Sequence, residues 1–102
     1  MKKKRSLTAK QIVSLLQKNH NSLRKYSVKK IGLFGSYATG GQHLRSDIDF
    51  LVKFEKPTFD NFMGLALYLE KLFGKKVDLI TDGNLSPYIK PYVEKEVRWH
   101  EV

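Results

Sequence analysis

The sequence predicts an α+β domain in which helices pack on one face of a mixed sheet of three to five strands. Three observations favour this class: two segments with apolar residues at helical spacing, several short aliphatic segments typical of strands, and glycine or proline residues between them. A hydrophobic content of 41% without repeats or low-complexity tracts indicates one domain over residues 1–102. Within it, residues 1–6 form a basic and flexible N-terminus in this prediction.

Helices are predicted at two places in the first three quarters of the chain. The first begins at the capping box of Thr8 and Gln11 and should end near Tyr26. The second should run from Thr58 to Phe73, with Gly74 as its stop. The core-facing residues expected in these helices are Ile12, Val13, Leu15, Leu16 and Leu23 in the first, and Phe59, Phe62, Leu65, Ala66, Leu69 and Leu72 in the second.

Strands are predicted at 28–34, 47–54 and 77–81, because these segments combine β-branched and aliphatic residues. A short helix or loop should connect the first two strands. Ser86-Pro87 indicates the start of another helix, which Pro91 should limit or kink. The last residues, 97–102, fit a short closing strand.

The candidate functional residues begin where the first strand ends. Gly35-Ser36 is a turn of small residues, which lets the backbone approach an anionic oxygen closely. Ten residues after Ser36 the chain reads Ser46-Asp47-Ile48-Asp49, and strand alternation places Asp47 and Asp49 on one face. A phosphate-binding turn beside two carboxylates suggests chemistry on a nucleoside triphosphate.

Carboxylates that project together repel each other unless a cation lies between them, and oxygen ligands favour magnesium or manganese. Asp78, flanked by Val77 and Leu79, must either pair with a cation or face water. If the strands are neighbours, three carboxylates could hold two divalent ions ~3.5–4 Å apart. The alternatives are a solvated strand face for Asp47 and Asp49 and a structural role for Asp78.

Three segments carry a resemblance to a known family: 35–40 (Gly-Ser-Tyr-Ala-Thr-Gly), 46–52 (Ser-Asp-Ile-Asp-Phe-Leu-Val) and 77–79 (Val-Asp-Leu). Together they resemble the minimal nucleotidyltransferases of the DNA polymerase β superfamily, over about residues 31–80 and a closing segment from residue 90. The resemblance implies the nucleotidyltransferase fold. It also implies that Gly35 and Ser36 bind the triphosphate, that Asp47 and Asp49 hold two Mg²⁺ ions, and that Asp78 helps to activate the attacking hydroxyl as a metal ligand or base.

One position departs from the commonest family pattern, because Thr39 stands where many members have arginine. Lys53, Arg45 or His43 are alternative sources of a phosphate-facing charge. Neither His43 nor His100 has a partner at a metal-binding spacing, so both are interpreted as surface or interface histidines.

The net charge of +9 fits either a solvated basic surface or an acidic partner, such as an acidic protein, a nucleic acid or the triphosphate itself. Nucleic acid ranks last, because the basic clusters are not interleaved with aromatic residues. No apolar run reaches the ~20 residues of a membrane span, so a cytoplasmic protein without membrane contact is the prediction. The chain has no cysteine, which excludes disulfides and thiol chemistry.

Larger enzymes of the superfamily append a helical domain that holds the acceptor, and 102 residues leave no space for one. The resemblance therefore implies an antitoxin that uses ATP and Mg²⁺, or Mn²⁺, to adenylylate a tyrosine on a HEPN-type toxin with which it assembles. Two alternatives stay open. One is an antitoxin that neutralises its partner by binding alone, and the other is a regulator that binds nucleic acid.

Overall fold

The computed structural model describes residues 7–43 and 45–102, and the predicted flexible terminus 1–6 lies outside this part of the chain. The helices are α1 (Ala9–Lys18), α2 (His20–Lys25), α3 (Ser36–Thr39), α4 (Phe59–Phe73) and α5 (Lys90–Glu96). The strands are β1 (Val28–Phe34), β2 (Ile48–Phe54), β3 (Val77–Thr81) and β4 (Arg98–Glu101). A 3₁₀ turn, Asp82–Asn84, follows β3.

The four strands form one mixed sheet in the order β3-β2-β1-β4. β1 runs antiparallel to both β2 and β4, whereas β2 and β3 are parallel. The α+β class and the expected strand number are therefore confirmed. Because β2 lies between β1 and β3, its residues can contact residues of both neighbouring strands.

The two faces of the sheet are covered unequally. On one face, α1, α2 and α4 enclose the main core, which includes Ile12, Leu16, Leu23, Ile31, Leu33, Phe50, Leu65 and Leu69. On the other face, Phe34 and Leu51 pack against Leu85 and Val93 in a smaller cluster. The helices predicted for one face are found there, and α5 additionally covers part of the second face, on which Asp49 lies.

The single helix predicted from Thr8 to Tyr26 is wrong at Asn19, where α1 ends and α2 begins. The Asn19 Nδ2 group donates to the Leu15 carbonyl at 2.8 Å, and Tyr68 Oη donates to Asn19 Oδ1 at 3.0 Å. Asparagine side chains that bond nearby backbone carbonyls compete with the helix ladder. The apolar spacing continues across the break, which is why periodicity alone did not reveal it.

The predicted capping box at Thr8 and the predicted stop at Gly74 are both confirmed. Thr8 Oγ1 accepts from the Gln11 N–H at 3.1 Å, and the Gln11 side chain accepts from the Thr8 N–H at 2.9 Å. Thr58 caps α4 through the Asn61 N–H, and Gly74 ends that helix with φ 66°.

Two of the remaining boundaries differ from the prediction. β2 begins at Ile48, so Asp47 lies one residue before the strand rather than in it. The helix expected from Ser86-Pro87 begins only at Lys90, so that start was wrong. Pro91 therefore lies in the first turn of α5, where its missing N–H is tolerated, and it does not kink the helix, which runs to Glu96. The closing strand is present as β4. Among the described residues, none of the helices has the length and apolar character needed to cross a membrane.

Candidate functional site

The turn after β1 brings the backbone against an acidic side chain. Gly35 has φ 76° and ψ −155°, a conformation that is essentially restricted to glycine. A Cβ atom at this position would collide with Asp49 Oδ2. Glycine is therefore required twice here, once by the backbone conformation and once by the close approach of the carboxylate.

Asp49 and Asp78 come together because β2 and β3 are parallel. The two residues are register partners in that strand pair, and Phe34, the last residue of β1, is the partner of Asp49 on the other side. Asp49 is half-buried, and Asp78 is exposed on the edge strand. The sheet thus places the Gly35 turn, Asp49 and Asp78 side by side.

The environment of Asp49 disfavours its charged form. Burial, followed by the charge of Asp78, hydrogen bonding to Asp78 and the charges of Asp47 and Glu96, raises the pKa of Asp49 from 3.8 to about 6. Asp47 acts here through its charge, from a half-buried position just before β2. The site is therefore a concentration of negative charge around one partly buried carboxyl group.

This donor set fits a hard divalent cation. Within residues 7–43 and 45–102, no three acidic, histidine or cysteine side chains already converge as a metal-binding group. The side chains of Asp49 and Asp78 interact directly, and Asp47 is near enough for its charge to act on Asp49. Carboxylate oxygens are the ligands that magnesium and manganese prefer, and a cation would offset the repulsion that, after burial, raises the pKa of Asp49.

Sequence reasoning missed Glu96, the last residue of α5. Its Oε2 atom accepts a hydrogen bond from the Gly35 N–H at 2.7 Å, across 61 residues of chain. No motif identified it, because the only sequence signal was a general similarity of the closing segment. The Gly35 N–H, which belongs to the predicted phosphate-binding turn, has this carboxylate as its partner.

Ser36 begins α3 directly after the turn and is half-buried. Its own N–H and that of Tyr37 lie in the first turn of a helix, where no intrahelical carbonyl is available to them. Thr39 turns its hydroxyl back toward α3, with Oγ1 3.4 Å from the carbonyl oxygens of both Gly35 and Ser36. Because the Thr39 side chain is uncharged, it supplies no positive charge to the site.

The alternative cations differ in position. Lys53 lies four residues beyond Asp49 on β2, about 13 Å away at the rise of a strand, and is exposed there. Arg45 and His43 are exposed in the loop before β2, where His43 Nδ1 accepts from the Arg45 N–H at 3.3 Å. Arg45 thus precedes Asp47 by two residues in the chain.

Two histidines that are distant in sequence meet outside the acidic site. His20 Nδ1 lies 3.3 Å from His100 Nε2, with the rings edge to face. Burial and the charge of His20 lower the pKa of His100. Spacing along the chain gave no sign of this contact, which joins the start of α2 to β4.

Comparisons with known proteins assign the chain to a family. The sequence model of the family described as nucleotidyltransferase domain matches residues 14–100. The protein adenylyltransferase MntA of Thermococcus cleftensis is 41% identical over 93 residues, which cover 89% of this chain and 94% of the relative.

Two solved structures share the fold. One, described as a "putative minimal nucleotidyltransferase", superposes with a TM-score of 0.77 at 26% identity, covering 93% of this chain and 98% of the other. A toxin–antitoxin crystal structure with AMP-PNP superposes with a TM-score of 0.63 at 29% identity, covering 91% and 72% of the two chains.

Proposed function

Because this chain belongs to the nucleotidyltransferase domain family, we propose that it transfers AMP from ATP to a hydroxyl group of a partner protein. The family assignment and the adenylyltransferase relative establish the enzyme class as nucleotidyltransferase. The observation that carries the proposal is the placement of Asp49 between the Gly35-Ser36 turn and Asp78. A turn for phosphates and a carboxylate pair are the two parts that such a transfer needs.

Asp47, Asp49 and Asp78 would hold the divalent cations, Mg²⁺ or Mn²⁺. When bound, these ions supply positive charge that offsets the charge of the triphosphate and of the transition state. Ser36, at the start of α3, would contact the β- and γ-phosphates through its hydroxyl and N–H groups. Asp49, which is half-buried, would fix the position of the nucleotide relative to the sheet.

Asp78 is the carboxylate that a large acceptor can reach, because it is exposed on the edge strand β3. The acceptor oxygen forms a bond to the α-phosphorus, and the bond from that phosphorus to the bridging oxygen breaks. Pyrophosphate leaves, and Asp78 takes the hydroxyl proton or lowers the barrier to its loss. Atoms and charge balance without any further reactant.

The acceptor in this proposal is a tyrosine of a HEPN-type toxin, with which the chain forms a hetero-oligomer as its antitoxin. The toxin–antitoxin neighbour with AMP-PNP supports a toxin partner and nucleotide binding, and the protein adenylyltransferase MntA supports AMP transfer to a protein. The excess of positive charge, +9, favours an acidic protein surface as the partner.

The test is an incubation of the purified chain with Mg²⁺, lysate of its source and ATP that is labelled on either the α- or the γ-phosphate. AMP transfer labels a protein from α-labelled ATP alone, whereas a kinase would use the γ-label. The Asp49→Asn and Asp47→Asn variants should lose the labelled band. Glu55→Gln, an exposed carboxylate at the far end of β2, serves as the matched control.

The modified residue is then identified by mass spectrometry, where an AMP adduct on tyrosine is expected. Labelling that persists in both aspartate variants would refute the roles given to these residues. A folded chain that binds Mg²⁺ and AMP-PNP but labels no protein would favour neutralisation by binding alone.

A further inference from the structure

Glu96 lies where two neighbouring features act against a negative charge. It lies at the C-terminal end of α5, which carries the negative end of the helix dipole, and its charge contributes to the repulsion felt by Asp49. Surface solvation does not account for this position, since Glu96 is half-buried, whereas Glu94 on the same helix is exposed. The contact that compensates is the 2.7 Å hydrogen bond from the Gly35 N–H.

That hydrogen bond restrains the most permissive residue of the site. Glycine has more backbone freedom than any other residue, and Gly35 must hold φ 76° directly beside Asp49. The peptide group whose N–H is bonded to Glu96 joins the end of β1 to the turn from which Ser36 starts α3. Because its N–H group is bonded to a side-chain oxygen from another element, this peptide plane is held in one orientation.

Resting on the proposed function, we infer that Glu96 is a positioning residue of the nucleotide site. It holds the Gly35 peptide and thereby sets the position of Ser36 relative to Asp49. The Glu96 Oε2 atom performs this role by accepting the hydrogen bond, and the negative charge of Glu96 is a cost that the bound cations offset. Glu96 does not touch the reacting atoms in this assignment.

Three variants separate the effect of the hydrogen-bonding oxygen of Glu96 from the effect of its charge. Glu96→Gln keeps an acceptor of the same reach and removes the charge, whereas Glu96→Ala removes both. Glu96→Asp keeps the charge but withdraws it by one methylene. The affinity for AMP-PNP with Mg²⁺ is measured by calorimetry without any acceptor protein, and hydrogen exchange of the Gly35 amide is followed by NMR.

We expect Glu96→Gln to bind AMP-PNP at least as tightly as the parent and to keep the Gly35 amide protected. Glu96→Ala and Glu96→Asp should bind about tenfold more weakly than Glu96→Gln, the effect of losing one hydrogen bond. The Gly35 amide should exchange faster in both. Glu94→Ala and Glu94→Gln, at the exposed site on the same helix, should match the parent.

Equal affinities of Glu96→Gln and Glu96→Asp would overturn the inference, as would a Gly35 amide that stays protected in Glu96→Asp. The comparison of these two variants decides the matter even if Glu96→Ala fails to fold. A parent chain that does not bind AMP-PNP with Mg²⁺ would also overturn it. A parent that binds the nucleotide but labels no protein would contradict only the proposed transfer.

Discussion

Replacing Asp49 with asparagine should stabilise the domain in the absence of metal. Asparagine has the shape of the protonated carboxyl group and can still donate to Asp78, but it cannot become charged. The pKa of Asp49 is raised from 3.8 to about 6 by burial and by the neighbouring carboxylates. The charged form is therefore the one that destabilises the fold.

The sign and size of the effect follow from proton linkage. A carboxyl group with a raised pKa binds more protons in the folded chain, so its contribution to stability is complete below pH 3.8 and is lost as the pH rises through about 6. A pKa change of this size corresponds to about 3 kcal/mol without solvent screening. Because Asp49 is only half-buried, screening should reduce the effect to about 1 kcal/mol.

Thermal unfolding followed by circular dichroism, with a chelator present and the pH varied from 4 to 7.5, measures this difference. At pH 7 the Asp49→Asn variant should unfold roughly 4–8 °C above the parent. Its advantage should disappear near pH 4, and added Mg²⁺ should stabilise the parent more than the variant. Glu55→Gln is the control. A variant less stable than the parent at pH 7 would show that the Asp49 carboxylate is a net stabilising group, against the reasoning from repulsion.

Three further substitutions test other parts of the structure. Gly35→Ala should abolish AMP-PNP binding in calorimetry and destabilise the fold by about 1–3 kcal/mol, because alanine disfavours φ 76° and its Cβ meets Asp49; unchanged binding would contradict the close approach. Gly32→Ala should lower the free energy of unfolding by about 1–3 kcal/mol in chemical denaturation, since its Cβ would collide with Trp99 of β4 and with Val97 just before that strand. Tyr37→Phe should leave stability within about 1 kcal/mol or raise it, because the buried Tyr37 hydroxyl has no partner in the described part of the chain; a larger loss in the same assay would reveal a hidden hydrogen bond.

The proposed nucleotide site carries negative charge that the fold has to tolerate. Asp49 and Glu96 are both half-buried, and their negative charges repel each other. Such an arrangement is typical of functional sites, where like charges held close together lower the stability of the fold. The predicted gain in stability on neutralising Asp49 and the predicted retention of AMP-PNP affinity in Glu96→Gln both test whether these charges carry such a cost.

The sequence by itself determined most of the elements, because their signals are local. The capping box at Thr8, the stop at Gly74 and the alternation along β2 each depend on residues within a few positions of one another. The same is true of the Gly35-Ser36 turn. The break at Asn19 was missed, since one asparagine side chain there outweighs an apolar pattern that continues through it.

Only the tertiary structure decided which of these residues meet. Asp49 faces Asp78 because β2 and β3 pair in parallel with one particular register, and a shift of one residue would turn the side chain to the other face. Glu96 reaches Gly35, and His20 reaches His100, across 61 and 80 residues of chain. Contacts of this kind depend on strand order and helix packing, which the pattern of neighbouring residues does not encode.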